Sequence, residues 1–253
     1  MNVLITYAVE AEFAPWRKLR SPPKVSVGGK EVQRIQIEQT TVDFVITGMG
    51  AANARRAAQA VLSPNYAACL ISGFAGALSA RCKLGEVVAP EKVQRGASDT
   101  SLPSVKNLQQ GLLEAGAVGI PTMISADHVI GTAAEKASLA ALGDAVDMES
   151  FAILEVAREK NIPAAVVRVI SDAFDSDLPE ELDTMVGTDG SLKIGGVVRY
   201  VTSHPTKVPA LLRLGRDSKA AAEALTSFLE KFIKTSPVVT PKRAPSDLQE
   251  VAS

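Results

Sequence analysis

The amino-acid sequence predicts a layered α/β fold, and three observations carry that prediction. Apolar runs of strand length alternate with segments of helical periodicity along most of the 253 residues. Nearly half of the residues, 46%, are hydrophobic, enough for a sizeable core. Two of the apolar runs end on acidic residues, Glu149 and Asp172. In open α/β sheets such strand ends line the ligand crevice.

The elements follow in order. Residues 2–7 are an apolar run that reads as a buried strand. Residues 10–19 read as a short helix, with Phe13, Trp16 and Leu19 at helical spacing. Pro15 fits that helix only if it falls in the first turn. Residues 31–37 alternate polar and apolar side chains, as a half-buried strand does, and residues 42–47 supply its hairpin partner. Gly48-Met49-Gly50 breaks the second strand, and an alanine-rich helix follows over residues 52–62. A strand over residues 67–72 ends in Gly73-Phe74-Ala75-Gly76-Ala77, and residues 85–89 form another short strand. Residues 108–115 are helical, 119–124 extended and 133–142 helical. Residues 145–148 lead into Glu149, a helix spans 151–160, and the strand 164–170 leads into Ser171-Asp172.

Residues 174–195 are rich in Asp, Gly and Pro and read as a long loop, the kind that serves as a lid or binding element. Residues 208–233 form an amphipathic helix carrying Leu211, Leu212, Leu214, Ala221, Leu225, Phe228 and Phe232 at apolar positions. Pro205 and Pro209 stand near its start, where proline is tolerated. Residues 235–253 read as a disordered tail. No internal repeat and no linker divides residues 1–234, so one domain is expected.

Composition narrows the function classes. The 27 basic and 28 acidic residues leave a net charge of −1, which argues against nucleic acid as the main ligand. The two cysteines, Cys69 and Cys82, imply no disulfide framework, and without a CxxC or Cys/His cluster no zinc site is expected. The first residues lack a basic region and a small-residue cleavage site, and no apolar run reaches the roughly 18 residues of a membrane span. A soluble cytoplasmic protein without a transmembrane segment is expected. The only histidines, His128 and His204, read as ordinary loop or surface residues and suggest no Ser/His/Asp arrangement.

Gly48-Met49-Gly50-Ala51-Ala52-Asn53 joins a strand to a helix N-terminus, a place that favours an anion or a polar oxygen. A dinucleotide fingerprint would need Gly where Asn53 stands and an acid after the next strand, which instead ends in Gly73-Phe74. A nicotinamide-dependent enzyme is therefore disfavoured. Each motif alone also has an ordinary structural reading. Glu149 would serve as a first-turn helix acid, Asp172 as a cap or turn residue, Glu12 as a solvated helix residue, and the glycines as tight turns. Two carboxylates at strand ends, with a third near the N-terminus, suggest chemistry on a polar small molecule.

Taken together and in order, five segments resemble the purine nucleoside phosphorylase and nucleosidase superfamily. They are Ala8-Val9-Glu10-Ala11-Glu12, Gly48-Met49-Gly50, Ser72-Gly73-Phe74-Ala75-Gly76-Ala77-Leu78, Val146-Asp147-Met148-Glu149-Ser150 and Val167-Arg168-Val169-Ile170-Ser171-Asp172. The first is similar to methylthioadenosine/adenosylhomocysteine nucleosidases. The Val-Asp-Met-Glu-Ser pattern, with residues 209–218, looks like the hopanoid-associated phosphorylases. The resemblance implies a single-domain, three-layer fold with a central mixed β-sheet flanked by helices. It also implies a homo-oligomer, commonly a dimer, that works without metal or organic cofactor.

The activity implied is cleavage of the ribose–base bond of an adenosine-type nucleoside, by a hydrolase or a glycosyl transferase. The substrate would carry an apolar 5′ substituent, as in hopanoid biosynthesis, with water or phosphate as acceptor. A methylthioadenosine/adenosylhomocysteine nucleosidase and a non-catalytic nucleoside-binding module are the alternatives. By position, Asp172 would protonate the purine with Ser171 in support. Glu149 would bind the ribose hydroxyls with Met148 beneath the sugar, and Glu12 would activate the attacking water. Val129, Ile130, Gly73 and Phe74 would border the base. Gly48, Gly50 and Arg55 would form a phosphate or water site.

The chemistry is consistent with these residue types. A ribosyl transition state is oxocarbenium-like, so a nearby carboxylate stabilises it. A departing purine needs a proton, and Asp172 could hold one at neutral pH if buried. Phosphorylases commonly place an arginine two residues before the position of Gly73 and a hydroxyl residue after it; Ile71 and Phe74 stand there instead. That departure favours water, unless Arg55, Arg56 or a partner subunit's arginine substitutes. Val129 stands where nucleosidases often carry an aromatic residue, and the Asp-rich loop after Asp172 has no clear nucleosidase counterpart.

Overall fold

The computed structural model describes residues 1–178, 203 and 205–236. In chain order its strands are β1 (Asn2–Tyr7), β2 (Lys24–Val27), β3 (Lys30–Ile37), β4 (Thr40–Ile46), β5 (Ala68–Ala77), β6 (Val87–Arg95), β7 (Ser101–Pro103), β8 (Val118–Ser125), β9 (Ala145–Asp147) and β10 (Ala164–Asp172). The helices are α1 (Glu10–Arg20), α2 (Ala51–Val61), α3 (Lys106–Ala115), α4 (Ala133–Leu139), α5 (Ser150–Glu159) and α6 (Val208–Thr235).

The strands form one mixed sheet in the order β10-β6-β8-β9-β5-β1-β4-β3-β2, with β7 beside β6. Because β10 also pairs with β5, the strands β5, β10, β6, β8 and β9 close into a ring, and β1, β4, β3 and β2 extend from it. The β5 strand is the hinge of this arrangement. Gly76 pairs with Asp172 on one side and with Val146 on the other. Both acids at strand ends are thereby brought to the same end of β5. The β5–β10 pairing slips between Ile170 and Asp172, an irregularity of the kind that re-aims a side chain.

Two apolar layers cover the sheet. Ala54, Ala58 and Val61 of α2 and Phe151, Leu154 and Ala157 of α5 pack on one face. Phe13 and Trp16 of α1, Leu108 and Leu112 of α3, and Leu225, Leu229 and Phe232 of α6 pack on the other. The β10 strand supplies both layers, Val166 and Ile170 to the first and Val167 and Val169 to the second. A strand covered on both faces reads as a continuous apolar run, which is why residues 164–170 show no alternation. The central mixed sheet flanked by helices is the fold class expected.

Several details depart from the sequence expectations. Pro15 lies inside α1, beyond the first turn. It cannot donate to the Ala11 carbonyl, but Ala11 lies on the exposed side of the helix, where water can serve. Buried Phe13 and Trp16 hold α1 in place. Their rings lie 5.3 and 4.8 Å from that of Phe44, and Trp16 Nε1 donates to the Tyr7 hydroxyl at 2.8 Å. Leu19 and Leu212 face outward, 53% and 65% exposed, so neither belongs to the apolar side of its helix.

The β2 strand has no counterpart in the sequence pattern; it pairs with β3 through Gly28-Gly29, both at positive φ, the backbone a two-residue hairpin demands. The β7 strand is three residues long, too short for a period to show. The β5 strand continues through its glycines to Ala77, and α4 stops at Leu139. The expected tail starts within the last turn of α6, which runs to Thr235. The loop beyond residue 178, His204 and residues 237–253 lie outside the described residues.

Candidate active site

A cavity of about 260 Å³ opens where β1, β5, β9 and β10 end. Its walls include Glu12, Glu149 and Asp172, three carboxylates from separate parts of the chain. Val9, Phe74, Val129, Ile130, Met148 and Leu214 supply much of the apolar lining.

Glu12 is buried, only 2% exposed, which corrects its reading as a solvated helix residue. From the first turn of α1, its side chain folds back over the helix start. Oε2 accepts from the backbone N–H of Ala8 at 2.6 Å and of Val9 at 3.0 Å, and Oε1 accepts from Phe74 N–H at 2.7 Å. Burial pushes its carboxyl above the usual carboxylate range, against the pull of Arg168 and these three N–H donors. A carboxylate with raised proton affinity is a stronger base than an ordinary one. Gly73 makes room for this arrangement. A Cβ there would stand 2.5 Å from Glu12 Oε1 and 2.6 Å from Arg168 Nη1, and its φ of 136° is glycine territory.

Arg168 is the cation on this side, and it is 1% exposed. Its Nη2 lies 2.5 Å from Asp147 Oδ2 and 3.5 Å from Glu149 Oε2, and donates to Ser150 Oγ at 3.0 Å. Its Nη1 donates to the Phe74 carbonyl at 3.3 Å. Glu149 Oε1 accepts from Gly50 N–H at 2.8 Å. Burial raises the Glu149 carboxyl to about 7, with Arg168 pulling it down and the neighbouring Asp147 pushing it further up. One guanidinium thus serves three acids, so none is fully compensated.

Asp172 stands across β5 with its own partners. Oδ1 accepts from Ser171 Oγ at 3.0 Å, and Oδ2 lies 2.6 Å from Lys136 Nζ. Lys136 has 0% side-chain exposure and donates to the carbonyls of Ala173 at 2.7 Å and Ser176 at 2.9 Å. Gly76 gives Asp172 its space, since a Cβ there would meet Oδ2 at 2.9 Å.

The structure brings most of the sequence-derived residues to this cavity. Glu12, Phe74, Val129, Ile130, Met148, Glu149, Ser171 and Asp172 all line it. Gly73 lies behind the wall, and Gly50 serves Glu149 through its N–H. Gly48, with φ of 85°, shapes the turn into α2 but is absent from the wall. Arg55 is a correction: it is not on the cavity wall but pairs with Glu155 and Glu159 of α5, since its position in α2 faces that helix. Arg56 is exposed and bonds Asn53. His128, an ordinary loop histidine by its sequence, lines the cavity rim, with Nδ1 2.6 Å from Asp127 Oδ1.

Sequence reasoning misses Lys136, and it gives no role to Arg168 or Asp147 although both lie in the motifs. Arg168 carries a signal, being the single charge inside the apolar run 164–170. Lys136 carries none, because a lysine on a short helix reads as solvated.

Three carboxylates and two buried cations around one small cavity define a site for acid–base chemistry on a polar small molecule. The chain belongs to the phosphorylase superfamily, whose family model matches residues 2–194. It is an enzyme of that superfamily, and cleavage of a nucleoside N-glycosidic bond is the reaction class this membership supports. Among solved structures it is similar to 5'-methylthioadenosine/S-adenosylhomocysteine nucleosidase from Neisseria meningitidis in complex with methylthio-immucillin-A. That match has 18% identity and a TM-score of 0.68, over 92% of this chain and 99% of that one. The nucleosidase of the same kind from Campylobacter jejuni matches at 15% identity and a TM-score of 0.70, over 92% and 99%. Futalosine hydrolase of Helicobacter pylori matches at 16% identity and a TM-score of 0.66, over 91% and 98%. At these identities the likeness is one of fold.

Proposed function

We propose that this protein hydrolyses the N-glycosidic bond of an adenosine-type nucleoside, releasing the base. The observation that carries the reading is the placement of Glu12 and Glu149 on one side of the cavity and Asp172 on the other. Glu149 accepts from the ribose hydroxyls, with Met148 beneath the sugar, and its charge favours the oxocarbenium-like transition state. Glu12 takes the proton of the attacking water. Asp172, supported by Ser171, gives the departing purine its proton. Val129, Ile130 and Phe74 border the base.

Water is the acceptor in this reading. A phosphate dianion wants cationic donors. Arg168 is already shared among Asp147, Glu149 and Glu12, Arg55 is engaged by α5, and Ile71 is buried in the core. The apolar Val9, Leu178 and Leu214 of the cavity wall support a substrate with an apolar 5′ substituent, such as an adenosyl hopanoid precursor. A cytoplasmic homodimer is part of the same reading.

The test is adenine release from a set of 5′-substituted adenosines, using enzyme dialysed free of phosphate. Release without phosphate is expected, with free sugar as the product by mass. Glu12→Gln is expected to lower kcat by about 10²-fold or more, the usual scale for losing a general base. Strict phosphate dependence with a sugar 1-phosphate product would replace hydrolysis by phosphorolysis.

A further inference from the structure

Lys136 has no place in the chemistry described so far, yet it is among the largest fully buried side chains among the described residues. An ammonium is rarely buried unless it is fully paired. Lys136 has three acceptors around it for its three N–H bonds: Asp172 Oδ2 and the carbonyls of Ala173 and Ser176. It thus donates two hydrogen bonds to the turn that follows the acid and stands in ion-pair contact with Asp172 Oδ2, a buried oxygen that has no hydrogen-bond partner among the described residues. That turn is clasped a second time by the start of α4. Ala133 N–H donates to Asp177 Oδ1 at 2.8 Å, and Leu178 N–H donates to the Gly131 carbonyl at 2.7 Å. Leu178 itself lines the cavity.

We propose that Lys136 is the positioning residue of Asp172 and the reservoir of the proton that Asp172 delivers to the leaving base. The proposal rests on the nucleosidase reading and deepens it. As the bond between the sugar C1′ and the purine N9 breaks, its electron pair stays with the purine. Asp172 passes a proton to the purine N7, and Lys136 passes one of its ammonium protons to Asp172. The water oxygen bonds to C1′, and the water proton goes to Glu12. Nucleoside and water become base and sugar. Once the products leave and the cavity refills with water, Glu12 gives its proton to that water and Lys136 regains one through Asp172. A lone carboxylate beside a purine gaining negative charge would oppose departure, whereas the Asp172–Lys136 pair is neutral until it gives up the proton.

The experiment measures kcat and KM of Lys136→Met on an adenosine-type nucleoside and on 4-nitrophenyl ribofuranoside, whose phenolate leaves without a proton. On the nucleoside, kcat is expected to fall about 10²-fold with KM changed little, the scale of general acid catalysis. The loss on the nitrophenyl substrate is expected to be at least about tenfold smaller. Lys136→Met strands a buried carboxylate and could unfold the protein, so the Lys136→Met/Asp172→Asn double variant, which removes both charges, completes a cycle. If Lys136 acts through Asp172, the second change adds less than about twofold to the loss in Asp172→Asn. Propylamine is expected to restore part of the activity of Lys136→Ala. Equal losses on both substrates, or full additivity in the cycle, would overturn the role of Lys136 while leaving the nucleosidase reading intact. Wild-type protein inert on every nucleoside would overturn that reading, and this proposal with it.

Discussion

The two sides of the cavity solve the problem of buried carboxylates in opposite ways. On the side proposed to take the sugar and water, Glu12, Asp147 and Glu149 share the guanidinium of Arg168. On the side proposed to take the base, Asp172 meets Lys136 and the Ser171 hydroxyl, with no second acid on that ammonium among the described residues. The shared arrangement leaves carboxyls poorly compensated, and burial lifts Glu12 and Glu149 above their ordinary range. The dedicated arrangement pairs one acid with one cation. The same residue type is thus assigned different work by its partners, as happens wherever two acids sit in unlike environments.

The base side should break first. Asp172→Asn keeps the shape but cannot pass a carboxyl proton, and kcat is expected to fall about 10²–10⁴-fold. Near-normal turnover of an unactivated nucleoside by a folded variant would remove Asp172 from its role and erase the contrast between the two sides.

On the sugar side the expected signature is selectivity. Glu149→Gln should cost a ribonucleoside about tenfold more in kcat/KM than its 2′-deoxy analogue, on the scale of one hydrogen bond to a charged group. Part of the contact was never available to the deoxy substrate. Equal losses would place Glu149 away from the sugar hydroxyls.

The smallest effect concerns stability against pH. Glu149 is raised to about 7 in the fold, so the native state holds that proton more tightly than the unfolded chain does. The stability it contributes is fully present below the ordinary carboxyl range near 4.5 and is lost as pH rises through about 7. Glu149→Gln cannot ionise and should lose less stability between pH 5 and pH 8 than the wild type. The difference is bounded at about 3 kcal/mol, because each tenfold gain in proton affinity on folding is worth about 1.4 kcal/mol. Glu12 is raised as well and interacts with Glu149, so the comparison reads the two acids together. Parallel melting curves for the two proteins across that range would show that Glu149 carries no burial penalty.

What can be read without the fold is whatever is written in consecutive residues. The runs at residues 2–7 and 164–170 have the length and composition of buried strands, and the helices over residues 52–62 and 151–160 show their period. Acids directly after a strand can be placed at a sheet end by counting, which is how Glu149 and Asp172 come into view. What escapes are elements with too little local signal, such as the three-residue β7, and residues whose role depends on what crosses over them.

Glu12 is the instructive case. By helical position it is an ordinary first-turn acid; it becomes a buried one because β5 passes close enough for Phe74 to donate to it. Arg55 shows the reverse, an arginine next to a glycine-rich turn whose helix face points it towards α5 instead of the cavity. Lys136 is 36 residues from Asp172 in the chain, and nothing in its neighbours announces the pairing. The sequence by itself determined most of the order of the elements, a layered α/β fold and the two acids at strand ends, because periodicity and strand termini are local properties; the mixed sheet was implied by the family resemblance. The tertiary structure alone decided which charges are buried together, since a buried charge takes its protonation and its partner from atoms that only folding brings within a few ångströms.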